Sequence, residues 1–207
     1  TWLHYLIENL YDPQDLVKIV SMVGESTLYE LYNTTLNNIV HHCILNNSKL
    51  LEILLSTLST YSNFGKILNM QNISGDTPLI LAVRKNDCLL VTQLCQHGDL
   101  DTNILNYSGE SALIVTVNEG YYDCFNVILN HPKTDINAQD SFGNTLLHHA
   151  INKLEDNYKR HHETTTTSTI TGTKFVQCFG LQKSQGTNFL RDAEDESKNE
   201  VSRHHQP

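Results

Sequence analysis

The chain has 207 residues, with 23 acidic against 14 basic side chains and a net charge of −9. That balance argues against a surface built from clustered Lys and Arg to displace counterions from nucleic-acid phosphates, and it either favours basic protein segments as partners or serves only to keep the chain soluble. No apolar run reaches the roughly 20 residues a helix needs to cross a bilayer, and no membrane partner is expected.

Taken in chain order, residues 1–32 read as a helical lead-in or a degenerate repeat, with Leu16, Val17, Ile19 and Val20 apolar. Trp2-Leu3-His4-Tyr5-Leu6-Ile7 is too short and lacks the basic flank of a signal peptide. The opening at Thr1 rather than Met reads as a piece of a longer protein. Residues 33–71 form a worn helical pair. Ile39, Val40, His41 and Cys43 fill its first helix, Asn46 stops it, and Leu50, Leu51, Ile53, Leu54 and Leu55 fill the second. An insertion from Thr57 to Lys66 then reads as polar and turn-rich.

Residues 72–105 give the cleanest unit. Gly75 supplies the permissive backbone of a turn. Thr77 is placed to cap a helix, and Pro78 fits its first position. Leu79, Leu81, Ala82 and Val83 face inward, and Asn86 is a left-handed stop. Leu89, Leu90, Val91 and Leu94 make a second helix, ended by His97-Gly98. Residues 106–139 repeat the pattern, and 140–153 begin it once more and leave it incomplete. Gly75, Gly109 and Gly143 stand 34 residues apart, and Asn69, Asn103 and Asn137 keep the same step, as do Leu79, Leu113 and Leu147. A period of this size signals a stacked array of supersecondary units, which serves as a binding surface more often than as a catalytic pocket. Residues 154–207, Thr-rich and then acidic, read as a disordered tail.

Gly75-Asp76-Thr77-Pro78-Leu79-Ile80-Leu81-Ala82 and Asp135-Ile136-Asn137-Ala138-Gln139-Asp140 resemble the ankyrin repeat. The resemblance covers residues 33 to 153 and implies an all-α solenoid of helix-turn-helix units with hairpin loops. The motif histidine after the Leu is replaced by Ile80 and Ile114, and on this reading survives only as His148, with an implied role of hydrogen bonding between neighbouring loops. In ankyrin arrays the hairpin tips and the solvent side of the first helices line a groove. Carried onto this chain, the partner-binding strips are Ile73, Ser74, Asp76, Arg84 and Lys85; then Tyr107, Ser108, Glu110, Asn118 and Glu119; then Ser141, Phe142, Asn144, Asn152 and Lys153. Tyr107 and Phe142 stand out, because aromatic side chains are enriched at interface hot spots.

Ile67-Leu68-Asn69-Met70-Gln71-Asn72 and the insertion before it look like a repeat junction of the I-kappa-B group, which includes the ankyrin halves of Relish-like NF-kappa-B precursors. That resemblance implies a Rel homology dimer as partner and cytoplasmic retention in innate immune signalling. The other reading is a generic ankyrin adaptor or effector.

Catalysis and cofactors find no pattern. The paired histidines His41-His42, His148-His149, His161-His162 and His204-His205 lack metal-ligand spacing, and no phosphate loop or nucleophile elbow occurs. We therefore expect no metal, no cofactor and no enzymatic activity. Cys43, Cys88, Cys95, Cys124 and Cys178 are odd in number and irregular in spacing, which fits reduced thiols in a cytosol or nucleus rather than a disulfide framework.

Overall fold

The structure, a computed structural model, describes residues 2–9, 12–23, 27–28, 33–46 and 48–161. The expected tail, from residue 162 onward, lies outside the described residues. Among them the chain is all helical. In order come α1 (Trp2–Glu8), α2 (Pro13–Val23), α3 (Ile39–Asn46), a 3-10 turn (Ser48–Leu50), α4 (Leu51–Leu58) and α5 (Phe64–Leu68). Then follow α6 (Pro78–Arg84), α7 (Cys88–Cys95), α8 (Ala112–Glu119), α9 (Tyr122–Leu129) and α10 (Leu146–His161).

These helices stack in two rows. First helices pack on first helices, α1 on α3, α3 on α6, α6 on α8 and α8 on α10; second helices α2, α4, α7 and α9 form the parallel row. Most of these helices are about two turns long and would be marginal alone. Each survives by burying one face between neighbours: Leu51, Leu54, Leu55 and Leu58 in α4, Leu90, Val91 and Leu94 in α7, Cys124, Phe125 and Ile128 in α9. A fully buried aliphatic side chain contributes about 1.5–3 kcal/mol, so each interface carries most of its repeat's stability.

Local chemistry fixes the boundaries. The Thr77 hydroxyl accepts from the Ile80 N–H at 3.3 Å, with Pro78 at the first helical position. Ser111 and Asp87 cap α8 and α7 in the same way. The helices α6 and α8 end at left-handed residues, Asn86 at φ 52° and Gly120 at φ 82°. The equivalent position in the last unit is Leu154. A leucine adopts that conformation only at a cost of about 1–2 kcal/mol, so α10 has no stop and runs on to His161. The helix thus crosses residue 154, where the sequence reading placed the start of the tail.

The insertion also differs from expectation. Thr57 and Leu58 belong to α4, and Phe64, Ile67 and Leu68 form the buried face of α5. Their i, i+3, i+4 spacing is a helical signal inside a segment whose composition reads as turn. The Tyr61 hydroxyl donates to the Val20 carbonyl at 3.2 Å, and the Phe64 ring meets His97 edge-on at 5.1 Å. The segment therefore packs against elements on both sides of it.

The N-terminal helices occupy the positions of a repeat. His4 lies 3.0 Å from the Asn37 carbonyl, and His41 lies 2.9 Å from the Asp76 carbonyl, through Nε2 in each case. Both bonds run from a first helix to the loop of the next unit. His41 thus holds the inter-repeat place assigned from sequence to His148 alone. The substitution of Asn38 for Thr concealed it: the Asn38 Oδ1 accepts from the Val40 and His41 N–H groups at 3.0 Å and does the work of the threonine hydroxyl. His148 bonds only within its own turn, its Nδ1 accepting from the Thr145 N–H and hydroxyl at 3.1 and 2.8 Å.

Candidate binding groove

Each hairpin loop is closed by one side chain. The Asn72 Oδ1 accepts from the N–H groups of Ser74 and Asp76. Asn33 does this for Thr35 and Asn37, Asn106 for Ser108 and Glu110, and Asp140 for Phe142 and Asn144. A glycine three residues on supplies positive φ at Gly75, Gly109 and Gly143; in the first of these loops Leu36 takes φ 56° instead. Tips join by backbone bonds, from the Ile73 N–H to the Thr35 carbonyl and from the Tyr107 N–H to the Ser74 carbonyl, at 2.9 and 3.2 Å. This fourfold clasp escaped the sequence reading, although the recurring Asn-x-Ser-Gly of two loops is its trace.

The clasps hold three apolar side chains outward. Ile73, Tyr107 and Phe142 are 57, 73 and 82 % exposed. Tyr107 has one packed neighbour of note: a Cβ placed on Gly75 would come within 2.6 Å of its Cδ1. The base of the ring rests over a glycine while the rest faces solvent. Ser74, Ser108 and Ser141 are exposed on the same row.

The polar floor beside the row is a connected network. Asp76, expected on the solvent side, is instead 6 % exposed. Its Oδ1 accepts from the Asn106 amide at 3.0 Å and its Oδ2 from Arg84 Nε at 3.1 Å. Arg84 Nη2 reaches Glu110 at 3.3 Å, and the Asn118 amide donates to the other Glu110 oxygen at 2.8 Å. At the last loop His149 Nε2 sits 2.9 Å from Asp140, and the Asn144 amide donates to the same carboxylate oxygen. Burial works to raise the Asp140 carboxyl, but bonds from Asn144, His149 and Phe142 outweigh it and hold it at about 2.

Two lysines assigned to the groove act as staples. Lys85 Nζ donates to the carbonyls of Ile44 and Leu45 at 2.7 and 3.3 Å, and Lys153 Nζ donates to that of Asn118. Each ammonium therefore caps the C-terminus of the preceding first helix, where the helix dipole favours a cation. Glu119 and Asn152 are exposed. On the opposite side, Asn69 and Asn103 hold the next loop, accepting from the N–H groups of Asp101 and Asp135 at 2.9 Å.

Among the described residues no group of three or more His, Cys, Asp or Glu side chains is arranged to hold a metal ion, and no helix is long and apolar enough to cross a membrane. Cys43, Cys88, Cys95 and Cys124 are not in disulfides; burial pushes Cys43 up to about 12 and Cys95 and Cys124 up to about 11, the opposite of a reactive thiolate.

Residues 40–140 match the family model for ankyrin repeats in three copies. The chain is 30% identical over 122 residues to an ankyrin repeat domain-containing protein, SAT10, of Stachybotrys chartarum; the match takes in 55% of this chain and 6% of that protein. The chain thus spans a small part of the curated relative it matches. The crystal structure of EF0377, an ankyrin repeat protein, superposes with a TM-score of 0.57 at 23% identity, covering 72% of this chain and 70% of the other. The fold is the all-helical ankyrin-repeat fold, and its repeats make it a protein-protein interaction module.

Proposed function

We propose that the row of hairpin tips and the adjoining groove bind an extended segment of another protein, making this chain an adaptor-type recognition arm. The observation that supports this reading most is the outward display of Ile73, Tyr107 and Phe142 on loops that are each closed by an internal clasp. Aromatic side chains held rigidly in water contribute contact area at little entropic cost when a partner covers them. These four cysteines, none of them in a disulfide, fit a reducing compartment, cytosol or nucleus.

The test is a selection of random twelve-residue peptides displayed on phage. Hits are titrated against the parent chain and a Tyr107→Ala/Phe142→Ala variant. We expect at least tenfold weaker binding by the variant; equal binding would sink the groove reading. A Rel homology dimer, the partner implied by the I-kappa-B resemblance, is titrated in parallel. The ankyrin repeat protein and ankyrin structure described above are matched at the level of the repeat, so the general reading stands first and retention of a Rel factor second.

A further inference from the structure

At one position of the floor the repeat pattern changes sign. Lys85 and Lys153 occupy the same place in their repeats, and each sends its ammonium to the carbonyls that end the preceding first helix, Ile44 and Leu45 for one and Asn118 for the other. The intervening repeat has Glu119 there, 34 residues after Lys85 and 34 before Lys153. The matching acceptor is the Arg84 carbonyl at the end of α6. Among the described residues no side chain donates to that carbonyl, and the exposed Glu119 carboxylate makes no ion pair. The Arg84 guanidinium above it is committed to Asp76 and Glu110.

We infer that the α6 C-terminus and Glu119 form a seat for a lysine or arginine of the bound segment, so that the partner supplies from outside the staple that its neighbours supply from within. The geometry is set by the two flanking repeats, where an ammonium already sits against the equivalent carbonyls. The charge is more favourable here than there, since a carboxylate joins the negative end of the helix. The seat belongs to the same repeats as Tyr107, so the segment it takes carries a basic residue together with apolar side chains for the tip row. This rests on the groove reading above.

The test uses the same phage selection on the parent and on Glu119→Lys, whose own ammonium fills the seat. Circular dichroism and thermal melting check the fold, and the variant is expected to melt slightly above the parent. Peptides selected on the parent should share a Lys or Arg near an apolar residue, and the basic residue should vanish from peptides selected on Glu119→Lys. For the parent consensus peptide, Lys→Gln in the peptide should weaken binding about tenfold to the parent and less than twofold to Glu119→Lys. Glu52→Lys, the same charge change at an exposed position of α4, should leave affinity within about twofold. Equal weakening by Glu52→Lys and Glu119→Lys, or the same basic consensus from both selections, overturns the seat. If Tyr107→Ala/Phe142→Ala still weakens binding in that case, the groove reading survives alone; if it does not, both fall.

Discussion

The first two repeat boundaries and the middle ones join the same elements with different atoms. Between α1, α3 and α6 the bridging side chains are His4 and His41, buried and bonded to the loop carbonyls of Asn37 and Asp76. At the corresponding place in α6 and α8 stand Ile80 and Ile114, both buried without polar atoms. The turn glycine differs too: Leu36 occupies at φ 56° the position held by Gly75 and Gly109. At that place the middle boundaries use apolar side chains with nothing to titrate. The N-terminal ones keep three histidines, His4, His41 and His42, under apolar cover, with His4 and His42 edge-on at 4.7 Å. One architecture can thus fill the same bridging place with a side chain that titrates and with one that does not.

The largest blow to the middle region is Gly75→Ala. Its Cβ would meet the Tyr107 backbone nitrogen at 2.4 Å and hold φ 76°, a backbone clash on top of about 1–2 kcal/mol of strain. We expect a loss of about 3–4 kcal/mol in urea unfolding. Gly143→Ala, with φ 85° and open space around it, should lose only about 1 kcal/mol. Equal losses would remove the steric part of the argument.

Acid should find the other region. Burial lowers His41 from 6.5 to about 4, against the opposing pull of the Asp76 carbonyl and carboxylate. Burial lowers His4 and His42 as well. A folded pKa below the unfolded one means the unfolded chain binds the proton first. Stability is therefore intact above pH 6.5 and falls until about pH 4, by roughly 3 kcal/mol for His41 alone. Hydrogen exchange should show α1 to α4 opening first between pH 7 and 5, and His41→Ile, the side chain used at Ile80, should flatten that dependence. An unchanged slope in His41→Ile would refute it.

Smaller effects sharpen the contrast. Leu36→Gly relieves a left-handed leucine and should raise stability by about 1 kcal/mol. Lys85→Met removes the staple on α3 and should cost about 0.5 kcal/mol at low salt and less at high salt, measured as a shift in melting temperature.

Much of this was legible in the sequence, for a reason visible at individual residues. Thr77, Pro78, Asn86 and Gly120 do locally what their residue types do best, so the middle repeats announced themselves. The first two repeats keep the same bonds through other atoms, Asn38 for Thr and Leu36 for Gly, and pattern reading passes over such exchanges. The tip residues Ile73, Tyr107 and Phe142 were legible because their phase alone puts them outside. The roles of Lys85, Lys153 and Asp76 were not, because an exposed-phase charge looks the same in sequence whether it faces water or a carbonyl 40 positions away. The α10 extension turned on the single residue Leu154.

The staples also set an order in time. The carbonyl of Leu45 receives its cation from Lys85, 40 residues later, and the loop at Asp101 is fixed by Asn69, which precedes it by 32. At roughly 5–20 residues per second of synthesis, the end of α3 stays uncapped for about two to eight seconds after it is made. Loops are received ready-gripped by the unit before, whereas the ends of α3 and α8 wait for the unit after. The growing chain therefore carries a half-finished repeat at its leading edge.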